Sequence, residues 1–176
     1  MSRKYIWFTL IFAGALILDI VTKQWVHGAL AFRDGFAVTS FFNIVHARNP
    51  GAAFGFLANA DAAWRIPFFL LVGAVAVSVI IFLVIKAGRE QLWYVAGLSA
   101  ILGGAMGNTI DRVRYGYVVD FLDVHVGGWH WPAFNVADIA LVVGAGILLL
   151  DALGDALRER RDKRSHSDPA RQSEAS

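Results

Sequence analysis

Between Gly103 and Asp138 the chain reads GGAMGNTIDRVRYGYVVDFLDVHVGGWHWPAFNVAD. It holds the acids Asp111, Asp120, Asp123 and Asp138 and the arginines Arg112 and Arg114, between two long apolar runs. Charge near hydrocarbon is expensive, so ionisable residues packed against membrane spans are functional candidates. Two carboxyls in contact cannot both ionise cheaply: one keeps its proton and the pair titrates as a unit. The ionised member can take a proton from water while the protonated member polarises a peptide carbonyl. That is amide hydrolysis without a metal or a covalent intermediate.

Each acid has a structural reading beside the chemical one. Asn135-Val136-Ala137-Asp138 fits a helix N-cap with an acid at N3, close to a capping box, and an acid in a first turn also faces the water layer. Asp120 stands in an apolar, extended strip after Gly116, where burial requires a water channel or a partner. Asp123 is its rival and is expected to be the more exposed. Asp111 ends an apolar run and reads as a brace, because an acid does not suit a helix C-terminus. The planar fork of Arg112 suits a substrate carbonyl or a neighbouring carboxylate. Asp19 and Lys23 sit at i and i+4, the favoured helical ion-pair order; they read either as a snorkelling pair at the interface or as residues that brace or orient a site at the same membrane depth.

Other chemistries find little support. With no cysteine there is no thiolate metal site, disulfide or Cys nucleophile. Ser40, Ser78 and Ser99 lack a Gly-x-Ser-x-Gly setting. His125 and His130 are flanked by Gly and Trp, and no His-Glu-x-x-His occurs. No metal, cofactor or nucleic acid is expected.

The elements that must position the acids follow from hydropathy. Apolar residues make up 57% and charged residues 17%, against roughly 45–50% and about 25% in soluble domains; mean hydropathy is +0.53. The composition predicts an α-helical membrane protein with four spans at about 5–24, 66–86, 92–111 and 134–155. Residues 5–21 after Arg3 and Lys4 could be a cleavable signal sequence, but further spans follow and a first transmembrane helix fits better. VTSFFNIVHA has the content of a strand, and Asn49-Pro50-Gly51 reads as a turn. A small extracytoplasmic sheet with a short amphipathic piece is therefore expected at about 28–62, and a disordered cytoplasmic tail at 158–176. Gly97, Gly103, Gly104 and Gly107 let helix backbones approach closely.

Basic residues set the orientation. Arg3 and Lys4, Lys86 and Arg89, and the cluster from Arg158 to Arg164 fall on one side of a four-span protein. By the positive-inside rule that side is the cytoplasm, which puts both termini inside and the acids at the outer interface.

Several blocks, in order, resemble the lipoprotein signal peptidases (signal peptidase II): Leu18-Asp19 through Lys23, Asn49-Pro50-Gly51-Ala52-Ala53-Phe54, Gly104-Ala105-Met106-Gly107-Asn108 with Asp111-Arg112, Val119-Asp120-Phe121, and Phe134-Asn135-Val136-Ala137-Asp138. The resemblance spans nearly the whole chain apart from the tail. It implies an aspartyl endopeptidase of the bacterial inner membrane, active on the periplasmic side, that cleaves prolipoproteins before the diacylglyceryl-modified cysteine. It implies Asp120 and Asp138 as the catalytic pair, over Asp123. Asn49, Arg112 and Asn135 would position substrate, with Asp19, Lys23, Gly51, Asn108 and Asp111 in support. It further implies a monomer that meets membrane lipid and is blocked by the cyclic peptide globomycin, with the sheet as a cradle over the lipidated substrate. Two other classes compete. A proton-coupled transporter would carry acids at mid-span, whereas these cluster at one end. A non-catalytic scaffold would use the acids only as caps and ion-pair partners.

Overall fold

A computed structural model describes residues 2–51 and 56–166. The elements run α1 (Arg3–Ala29), β1 (Gly35–Thr39), β2 (Phe42–Asn49), α2 (Ala62–Lys86), α3 (Leu92–Tyr115), β3 (Val118–Val126), β4 (Trp129–His130) and α4 (Val136–His166). Among the described residues three helices, Arg3–Ala29, Ala62–Lys86 and α4 over Val136–Arg161, are long and apolar enough to cross a membrane. Large apolar side chains on their surfaces, such as Leu10, Leu71 and Leu149, are exposed, as lipid-facing residues are.

The expected third span, α3, is a helix of 24 residues but does not join that group. The reason is its place. It packs against α1, α2 and α4, and Val95–Ala100, Leu102–Gly104 and Gly107 are buried. A helix walled in by others needs small residues more than apolar bulk, and glycine lowers its hydropathy. A Cβ on Gly97 would come within 2.9 Å of the Gly144 carbonyl, and one on Gly144 within 2.6 Å of the Gly97 carbonyl. These two helices touch backbone to backbone. At one end of the bundle, Lys4 is buried and donates to the Ile85 and Ala87 carbonyls at 3.2 and 2.7 Å, capping the C-terminus of α2.

The sheet lies at the other end, antiparallel in the order β1-β2-β3-β4. It is larger than the 28–62 region, because β3 comes from the second loop and pairs with β2 through Ala47↔Asp120 and Asn49↔Val118. VTSFFNIVHA is two strands, not one: Thr39 Oγ1 accepts from the Phe41 N–H at 3.3 Å, and the chain reverses. Among the described residues no amphipathic helix separates α1 from α2; β1, β2 and turns fill that interval.

The tail also differs from expectation. Residues 158–166 continue α4, and only 167–176 lie outside the described residues. RERRDKR is built of strong helix formers, and cations suit the C-terminal end of the helix dipole.

A candidate active site where four elements meet

Gly116, at φ +76°, closes α3 by donating to the Arg112 carbonyl at 3.0 Å, and frees the chain to turn into β3. Asp111 Oδ2 then accepts the Val119 N–H at 3.0 Å, pinning the strand one residue before Asp120. Val119 and Phe121 pack with Val26 of α1. Side chains alternate along a strand, so Asp120 points to the opposite face, away from this cluster.

The Phe134 carbonyl accepts from Phe121 and Leu122 at 2.9 and 2.8 Å, laying residue 134 along β3. That contact delivers Asn135 beside Asp120. Asn135 Nδ2 donates to Asp120 Oδ1 at 2.6 Å. The same residue caps α4: its Oδ1 accepts the Asp138 N–H at 3.0 Å, while its own N–H donates to Asp138 Oδ2 at 3.2 Å. This is the reciprocal capping box that Asn-x-x-Asp predicts. Asn135 thus bridges the two carboxyls, and it is fully buried.

Asp120 and Asp138 open onto one cavity of about 800 Å³, whose walls include Asn49, Trp131 and Pro132 outside and Leu141 and Val142 on α4. Burial pushes the Asp120 carboxyl up to about 7, and the Asp138 carboxylate beside it adds to the rise; the Asn49 and Asn135 amides and the Lys23 ammonium oppose it. An acid that changes state near neutrality suits proton transfer at working pH.

The other predicted residues gather around this pair. Arg112 donates to the Gly51 carbonyl at 2.7 Å and to the Asn108 carbonyl at 3.2 Å, with its guanidinium 4.5 Å from the Phe69 ring centroid. Asn49 Oδ1 accepts the Gly51 N–H at 3.0 Å, which forms the predicted turn; Ala52, Ala53 and Phe54 lie outside the described residues. Asn108 Nδ2 reaches Asp138 Oδ1 at 3.0 Å.

One expectation is corrected. Asp19 and Lys23 do not snorkel: they are 0% and 1% exposed and paired at 2.8 Å beneath the site. Lys23 also meets Asp111 at 3.2 Å, and Asp19 Oδ1 accepts the Ala137 N–H at 2.8 Å. Burial is possible because each charge finds partners. Asp123 is, as expected, more exposed than Asp120, 7% against 3%, and its carboxylate is held by Asn43 at 2.8 Å and His130 at 2.9 Å. Three residues from Asp120 on a strand, it lies on the opposite face and does not line the cavity.

Sequence reasoning missed the apolar wall formed by Trp131, Pro132, Ile139, Leu141 and Val142. Part of it was legible: Asp138, Leu141 and Val142 fall at i, i+3 and i+4, one face of α4. That face runs from the carboxyl down the helix.

The family model for signal peptidase (SPase) II matches residues 11–154. A lipoprotein signal peptidase of Janthinobacterium sp. (strain Marseille) is 49% identical over 141 residues, covering 80% of this chain and 84% of that one. One of Syntrophus aciditrophicus (strain SB) is 44% identical over 159 residues, covering 87% and 96%. A solved structure, "Bacterial membrane enzyme structure by the in meso method at 2.3 A resolution", superposes with a TM-score of 0.77 at 33% identity, over 85% of this chain and 88% of that one.

Proposed function

Because the chain belongs to the signal peptidase II family of membrane proteases, we propose that it removes signal peptides from diacylglyceryl-modified prolipoproteins by an aspartyl mechanism. One observation carries the mechanism: Asp120 and Asp138, bridged by Asn135, share a cavity with one apolar wall on α4. The ionised aspartate takes a proton from water, and the resulting hydroxide adds to the scissile carbonyl. The protonated aspartate donates to the carbonyl oxygen, and the tetrahedral intermediate collapses as the amide nitrogen leaves with a proton from the pair.

Substrate geometry supports this reading. A diacylated cysteine is anchored in the bilayer, so its scissile bond arrives at the interface, not at the membrane centre. The cavity begins at the carboxyls and continues along Leu141, Val142 and Val143, an apolar path for acyl chains. Asn49 lines the cavity and Arg112 lies within electrostatic reach of both carboxyls, and the two hold substrate backbone. Globomycin would occupy the same cavity.

We take α3 as the fourth span, enclosed by the other three helices. The basic end carrying Arg3, Lys86, Arg89 and Arg158 then lies in the cytoplasm, and the sheet and carboxyls face the periplasm of the inner membrane. The enzyme acts as a monomer without metal or cofactor.

The decisive experiment compares wild type with Asp120→Asn and Asp138→Asn on a purified diacylglyceryl-modified precursor. Each variant should accumulate in the membrane and leave the precursor uncut. Normal cleavage by either variant rules out the pair.

A further inference from the structure

Lys23 does not line the cavity, yet its fully buried ammonium lies within 3.2 Å of three oxygens. Asp19 Oδ2 is at 2.8 Å, Asn108 Oδ1 at 2.8 Å and Asp111 Oδ2 at 3.2 Å. An ammonium only donates, so the Asn108 oxygen must face Lys23 and its NH₂ must face the other way. That NH₂ is the group that meets Asp138 Oδ1 at 3.0 Å. Asn135 Nδ2 also donates to Asn108 Oδ1, at 3.2 Å, which fixes the same orientation.

Resting on the aspartyl reading above, we infer that Lys23 is a positioning residue: acting through Asn108, it makes Asp138 the ionised base and leaves the shared proton on Asp120. Asp138 then accepts N–H bonds on both oxygens, from Asn108 Nδ2 and the Asn135 backbone, at the N-terminus of α4. Two N–H donors and the positive end of a helix dipole favour a carboxylate. Asp120 has the Asn135 and Asn49 amides but no helix terminus, and it is the more deeply buried of the two.

Charge balance points the same way. Asp19 and Lys23 from α1, Asp111 and Arg112 from α3, Asp120 from β3 and Asp138 from α4 place four acids around two bases. Fully ionised, the cluster carries a surplus of two negative charges, and one proton held by the pair halves it. The ionised Asp138 faces Lys23 through Asn108 and Arg112 across the site. Asp120 takes the carbonyl-polarising role.

The test is the pH dependence of kcat and KM for wild type, Lys23→Met, Asn108→Ala and the combination, on a diacylglyceryl-modified precursor. A purely structural lysine lowers activity at every pH alike. The inference requires the acid limb of kcat, where Asp138 ionises, to move up by about one pH unit in Lys23→Met, the scale of one lost charge-assisted partner. KM should stay within about twofold, because neither residue meets substrate. Asn108→Ala should shift the limb equally, and the combination should shift it no further. Should Lys23→Met fail to accumulate, Asp19→Asn/Lys23→Met removes the nearer of the two stranded carboxylates and carries the same comparison. An unshifted limb in Asn108→Ala, or in a folded Lys23 variant, overturns the inference, as do shifts that add. If those limbs stay put while Asp138→Asn is inactive, only the role of Lys23 fails; if Asp138→Asn cleaves, the aspartyl reading fails with it.

Discussion

Replacing Asp120 with Asn should abolish cleavage and at the same time stabilise the protein at neutral and alkaline pH. In the folded chain the carboxyl titrates at about 7, raised from 3.8 chiefly by burial and next by Asp138. A group whose pKa is raised on folding favours the native state below its unfolded pKa, and that contribution is lost as pH climbs through the folded value. The window here runs from about pH 4 to about pH 7. At roughly 1.4 kcal/mol per pH unit, the wild-type penalty above pH 7 is on the order of 4 kcal/mol. Exposure of only 3% leaves little solvent screening to reduce it. Asn carries no charge, and its Oδ1 can still accept from Asn135. Thermal melting in detergent, followed through tryptophan fluorescence, should therefore show Asp120→Asn roughly 10 °C above wild type at pH 8. The two curves should converge near pH 4. An equal melting temperature at pH 8, or a difference independent of pH, would refute the reasoning.

Other outcomes follow from the same geometry. Asp123→Asn should keep kcat within about twofold of wild type in the precursor assay, because that carboxylate faces Asn43 and His130 on the far side of the strand; inactivity would reopen its claim to the site. A methyl group on Gly107 would collide with the Asp19 carboxylate, so Gly107→Ala should lose about 1–3 kcal/mol, read as a lower melting temperature. No change there would mean that α1 and α3 can separate freely. Reporter fusions after Arg33 and after Gly127 should report the periplasm, and one after Arg89 the cytoplasm. The inverse pattern would put the carboxyls on the wrong side for an exported substrate.

Much of this molecule was legible before any coordinates. Unbroken apolar runs marked Arg3–Ala29, Ala62–Lys86 and α4, because a backbone in hydrocarbon must bond to itself and only helices of such length do so. Asn135-x-x-Asp138 announced its own cap, since that bonding is local. What pattern could not decide was partnership. Asp19 and Lys23 look like any interfacial i, i+4 pair; only the approach of α3 at Gly107 and of α4 at Ala137 turns them into a buried base beneath the site. Hydropathy alone also understates α3, because a helix enclosed by protein is selected for close contact and not for lipid. The meeting of Asp120 with Asp138 depends on the backbone bonds between Phe134 and β3. Those bonds join residues distant along the chain, and a long-range contact leaves no periodic trace in the sequence that makes it.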